Sequence, residues 1–107
     1  MKRYGSVIGL SAENVEEYKR LHADVWPGVL AKIKDCNINN YSIYFKDGFL
    51  FSYMEYVGED FEADMEKMAA DPTTQEWWAV CKPLQNPLDT RGEGEWWADM
   101  EEFFHID

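Results

Sequence analysis

INNYSIYFKDGFLFSYMEYV, residues 38–57, reads as two strands joined by a tight turn. Over residues 38–45 the side chains alternate, with Tyr41, Ile43 and Phe45 on one side and Ser42 and Tyr44 on the other. Asp47-Gly48 suits a two-residue hairpin turn, because both of its positions need positive φ. Residues 49–57 form the returning strand.

The flanks follow the same logic on each side. Upstream, residues 3–10 alternate as a strand, with Tyr4, Ile8 and Leu10 on one face and Val7 on the other. Ser11 offers a helix N-cap, and Glu13, Glu16 and Glu17 sit where a helix N-terminus favours negative charge. Val15, Tyr18, Leu21, His22 and Val25 keep helical spacing until Pro27 forces a break or restart near Trp26. Val29, Leu30 and Ile33 continue a second short face. Downstream, Phe61, Met65 and Met68 mark a helix that stops at Asp71-Pro72, and Pro72 opens another carrying Trp77, Trp78 and Cys81. Pro83, Pro87, Gly92 and Gly94 predict a loop over 83–95, and residues 97–106 read as a fourth strand.

Strand, helix, hairpin, helix, strand is the split βαβ, ferredoxin-like order: an α+β sandwich with an antiparallel sheet and helices on one face. The 107 residues make one such domain, 1–107. The other sheet face stays open, and the aromatic content of 16% is ample to cover it with a second subunit. A homodimer of the dimeric α/β-barrel type is the expected assembly.

Charge narrows the partners. Twenty-one acidic residues against 10 basic ones give a formal net charge of −11, which repels phosphate backbones and anionic lipid. No nucleic acid and no membrane is expected as a partner, whereas a neutral ligand meets no such penalty; the acidity also serves plain solubility. Val7-Ile8-Gly9-Leu10 is too short an apolar run for a signal segment or a span. Cys36 and Cys81 lie far apart without a CxxC pair and read as reduced thiols, so a cytoplasmic location is expected.

No glycine-rich phosphate loop or GxSxG turn is present, and His22 and His105 lack partners at metal-site spacing. Neither a cofactor nor a metal is suggested. What remains is polar and aromatic. Tyr18 and His22, four apart, share one helix face, where a lone histidine is more often a satisfied core residue. Tyr41 beside Asn39 and Asn40 reads by itself as an ordinary sheet aromatic. Trp77 and Trp78 point about 100° apart on a helix, so one suits the core and the other a cleft or an interface. Trp96-Trp97 repeats the pair, but on a strand the two rings would face opposite ways.

The ordered set Tyr18-x3-His22-x3-Trp26-Pro27, Asn40-Tyr41-x-Ile43-Tyr44, Trp77-Trp78 and Met100-Glu101-Glu102-Phe103-Phe104-His105 resembles the L-rhamnose mutarotase family along essentially the whole chain. The resemblance implies a ferredoxin-like homodimer and an isomerase that interconverts the α and β anomers of a 6-deoxyhexose, most directly L-rhamnose. It implies His22 as proton donor, and Tyr18, Tyr41, Trp77 and Trp78 as sugar-binding residues. The segment 84–97 departs from the typical member in being longer and more charged, and some relatives act on L-fucose, so specificity is expected to turn on that loop. For the opposing proton the candidates are His105, Glu55 and an ordered water. The same architecture also serves cofactor-free monooxygenases and non-catalytic sugar-binding proteins.

The residue types fit the chemistry. Opening a hemiacetal needs a proton removed from the anomeric hydroxyl and one delivered to the ring oxygen, and histidine exchanges protons near neutrality without a large shift. Indole rings cover the C–H face and the methyl group of a 6-deoxy sugar, while tyrosine hydroxyls bond its oxygens.

Overall fold

In the computed structural model, which describes residues 1–107, the hairpin is as read from the sequence. Strand β2 (Ile38–Lys46) turns through Asp47 and Gly48, at φ 53° and 85°, into β3 (Phe49–Tyr56). β3 pairs antiparallel with β1 (Lys2–Leu10), whose far edge takes two short pieces, β4 (Gln85–Asn86) and β5 (Ala98–Met100). The order β2-β3-β1-β4 is the ferredoxin-like one.

The helices cover one face. They are α1 (Val15–His22), α2 (Pro27–Asp35), α3 (Phe61–Ala69) and α4 (Pro72–Cys81). Prolines open α2 and α4, as their missing amide allows at a helix start. The Asp71 carboxylate caps α4 by accepting from the Thr74 amide, and Asp60 caps α3 through the Ala63 amide. Ser11 leads into a 3-10 turn, Ala12–Asn14, and makes no side-chain cap; its hydroxyl instead accepts from the Asn86 amide. The core under the helices joins Ile8, Leu10 and Leu50 to Tyr18, Val29, Trp77 and Cys81.

Two local features position the site. In β2 the register slips between Asn39 and Ser42, and Asn40 takes the left-handed conformation at φ 47°. This bulge lets Ile38 and Tyr41, three residues apart, share the helix-side face that simple alternation would divide between them. The Glu55 carboxylate on β3 holds it, accepting from the Asn40 amide at 2.7 Å. At Gly9 the backbone of β4 passes so close that a Cβ would lie 2.7 Å from the Asn86 carbonyl oxygen; only glycine lets β4 dock there.

The fourth strand differs from its sequence reading. Rather than one strand over 97–106, it is split into β4 and β5 around the loop 87–97. Strand pairing ends at Met100, and the tail beyond it is exposed, tied back by the Arg3 guanidinium, which donates to both Glu102 carboxylate oxygens. Three side chains of that tail, Phe103, Phe104 and Ile106, stand in solvent.

Candidate active site

The last turn of α1 brings Tyr18 and His22 together through backbone geometry alone, since residues four apart stack on one helix face. The imidazole lies on the phenol ring, centroids 4.1 Å apart and planes within 20°. His22 Nδ1 is 2.8 Å from the Tyr18 carbonyl oxygen. A carbonyl only accepts, so Nδ1 carries the hydrogen and Nε2 keeps its lone pair. Nε2 makes no hydrogen bond within the chain and is not sealed from solvent. Desolvation holds the His22 pKa below its ordinary value, against a smaller opposing pull from the Tyr18 carbonyl. The ring is therefore a neutral base at neutral pH.

Trp77 stands edge-on to His22 at 5.2 Å and edge-on to Trp26 at the same distance. It is also core, only 6% exposed. Trp78, one step round the helix, faces elsewhere. With Trp96, Lys82 and Gln75 it lines an open depression of about 500 Å³, where the Lys82 ammonium lies 5.2 Å from one indole and 5.5 Å from the other. A second open depression, near 480 Å³, lies between Leu10, Phe49 and Pro87. Neither is lined by His22, which is itself half-buried.

Tyr18 and Tyr41 each bring a hydroxyl to the helix side of the sheet. That of Tyr18, on a residue 5% exposed, accepts from the Gln85 side-chain amide at 2.9 Å, and its own hydrogen has no acceptor in the chain. Tyr41 shows 43% of its surface, but its hydroxyl end is sheltered enough that desolvation raises its pKa. The two lie near each other and near Cys81: Tyr18 is raised first by desolvation, then by Cys81 and Tyr41, against the Gln85 hydrogen bond. The Cys81 thiol is itself pushed up to about 11 by burial. Polar hydrogens without acceptors this deep in a protein await a partner.

Of the residues singled out from the sequence, the fold gathers Tyr18, His22, Tyr41 and Trp77. Trp78 is set apart by the helical twist. Glu55 lies on the opposite sheet face, alternating with Met54 and Tyr56, and accepts from Tyr53 and Asn40, which lower its pKa. His105 is on the exposed tail rather than a strand, and its Nε2 is 2.7 Å from Asp107. That tail leaves near Arg3, and roughly 23 Å of strand separates Arg3 from Leu10, which pairs with Gln85 beside Tyr18. Three participants escaped the sequence reading as site residues: Trp26, Gln85 and Trp96. The Pro27 break was a usable signal for Trp26, since it turns that ring at the α1–α2 corner. No group of three or more His, Cys, Asp or Glu side chains is placed to hold a metal ion.

The sequence profile of the L-rhamnose mutarotase family matches residues 3–106. The chain is 33% identical over 110 residues to the L-rhamnose mutarotase of Bacillus subtilis, with the whole of both chains covered. It is 36% identical over 110 residues to that of Listeria monocytogenes serotype 4b, with 99% of each covered. Among solved structures, an L-rhamnose mutarotase from Formosa agariphila superposes with a TM-score of 0.79 over the full length of both chains at 19% identity. Tetracenomycin F2 cyclase from Streptomyces glaucescens superposes at 0.73, covering 100% of this chain and 98% of the cyclase, at 14% identity, a likeness of fold alone. With a family profile spanning nearly every residue, the chain belongs to the L-rhamnose mutarotase family of carbohydrate isomerases.

Proposed function

We propose that this protein interconverts the α and β anomers of L-rhamnose, with His22 moving the protons. The observation that carries this reading is the fixed tautomer of His22: Nδ1–H is spent on the Tyr18 carbonyl, and Nε2 is left basic on a ring stacked on Tyr18 and edged by the Trp77 indole. In the proposed cycle Nε2 takes the proton of the anomeric hydroxyl as the bond from C1 to the ring oxygen breaks. C1 becomes an aldehyde, and the proton ends on the former ring oxygen. Both oxygens belong to the same carbon, so one ring nitrogen can serve them in turn, with water as the opposing carrier. Rotation about C1–C2 and the reverse transfers close the other anomer. Tyr18 and Tyr41 hold sugar oxygens, and Trp77 walls the site.

A homodimer in the cytoplasm completes the proposal. Val7, Tyr44, Phe49, Phe51, Tyr53 and Met100 share the sheet face away from the helices, and a second copy covering it would bury an apolar surface of unusual size for a monomer. Both cysteines are free and buried, in keeping with a reducing compartment.

Saturation-transfer NMR on L-rhamnose at anomeric equilibrium tests the activity. Magnetisation passing between the α and β H1 signals, faster than without protein, is the expected result. Line broadening without transfer means a sugar-binding protein, and oxygen consumption with a flat aromatic substrate means a monooxygenase.

A further inference from the structure

Gln85 sits between two aromatic residues of opposite hydrogen-bonding character. Its Oε1 accepts from the Trp96 indole N–H at 2.8 Å, and its Nε2 donates to the Tyr18 hydroxyl oxygen at 2.9 Å. An indole N–H can only donate. It therefore dictates which end of the Gln85 amide faces it and, by exclusion, presents the NH2 group to Tyr18. A hydroxyl that accepts from one side turns its hydrogen to another, and the Tyr18 hydrogen has no acceptor in the chain. The three groups form a one-way relay, from indole through amide to phenol.

We propose that Gln85 and Trp96 are positioning residues for the sugar: they commit the Tyr18 hydroxyl to donating toward the reacting site, and so bring the loop 87–97 into control of which sugar oxygen is held there. Resting on the mutarotase reading above, this deepens it by assigning the loop a task. The loop's own architecture supports the assignment. Glu95 accepts from the Gly92 and Asp99 amides, Trp97 packs against the core, and the Trp96 ring rests over Lys82. The loop is thus braced at three points around the indole that starts the relay. Gln85 is itself fixed by β4, docked where Gly9 allows.

The discriminating variant is Gln85→Glu. A carboxylate of the same shape still accepts from Trp96, but it also accepts from Tyr18, so the phenol hydrogen turns away from the sugar. Exchange on L-rhamnose, read by saturation transfer, should fall at least tenfold for Gln85→Glu with the melting temperature little changed. Trp96→Phe keeps an aromatic ring but removes the indole donor and lets the Gln85 amide turn over, so a smaller loss of the same kind is expected. In a Tyr18→Phe background, Gln85→Glu should cause no further loss; a merely structural role would lower both backgrounds alike. Wild-type exchange unaltered by Gln85→Glu, or an equal added loss in the Tyr18→Phe background, overturns the relay. Wild-type protein without exchange overturns the mutarotase reading instead.

Discussion

His22 is held by Tyr18 twice, once through its ring, 4.1 Å from the phenol, and once through Nδ1, 2.8 Å from the backbone carbonyl of the same residue. One contact fixes the plane of the imidazole and the other fixes its tautomer. Neither uses Nε2. A histidine serving only as packing needs no such orientation, whereas a proton carrier does.

Replacing His22 by Ala should therefore abolish most of the anomeric exchange while the chain stays folded. Loss of a positioned acid–base group costs about 10²- to 10⁴-fold in rate. Saturation transfer measures the rate, and circular dichroism and melting temperature the fold. An unfolded variant would return His22 to the role of core residue.

The pH dependence follows from the sign of the shift. Desolvation lowers the His22 pKa, so the neutral base persists further into acid than free histidine does. Exchange should rise with pH through a midpoint below the ordinary value of about 6.5 and stay flat above it. The same shift makes the folded state bind protons less readily than the unfolded one, so His22 withdraws stability as pH falls from the ordinary value toward the folded one. A rate midpoint above the ordinary histidine value contradicts this.

Trp77 and Trp78 should separate cleanly. Trp77 is core as well as cleft wall, so Trp77→Ala should cost about 3–5 kcal/mol of stability, by analogy with other buried aromatics. Trp78 lines an open depression away from His22, so Trp78→Ala should leave the fold intact and change L-rhamnose affinity little. Chemical denaturation of both variants, beside an NMR titration of the second, distinguishes them.

The two thiols offer a simple check of packing. Cys36 is buried and raised by desolvation, and Cys81 is pushed up to about 11 by the same cause. At neutral pH both should resist a thiol reagent in the native protein and react fully in denaturant. Rapid native labelling of Cys81 would mean that the core beside Tyr18 and Tyr41 is open.

The proposed dimer has its own test. Tyr44 is 65% exposed on the aromatic sheet face, and Tyr44→Asp would set a charge there. Sedimentation should find the wild type as a dimer and this variant shifted to monomer.

Much of this could be read from the residues because the decisive signals are local. Asp47-Gly48 demands its turn, and Pro27 and Pro72 demand helix starts whatever surrounds them. Four-residue spacing was enough to stack His22 on Tyr18. The two-residue β4 was hidden among prolines because its strand character exists only through pairing with Gly9 and Leu10, far away in sequence. Trp96 reads as a strand residue because nothing local tells an indole that its acceptor is eleven residues upstream. Glu55 looked like a spare carboxylate until the chain folded and gave it Asn40 to hold.

The slipped register at Asn40 carries a consequence for how such a sequence can vary. Substitutions along β2 change what the sheet presents, one side chain at a time. Losing Asn40 would restore even pairing and leave Tyr41 opposite Met54, still on the helix side, so the ring keeps its face while Glu55 loses the amide it holds. Descendants of this chain can thus lose a residue at the slip without turning the faces of the strand over.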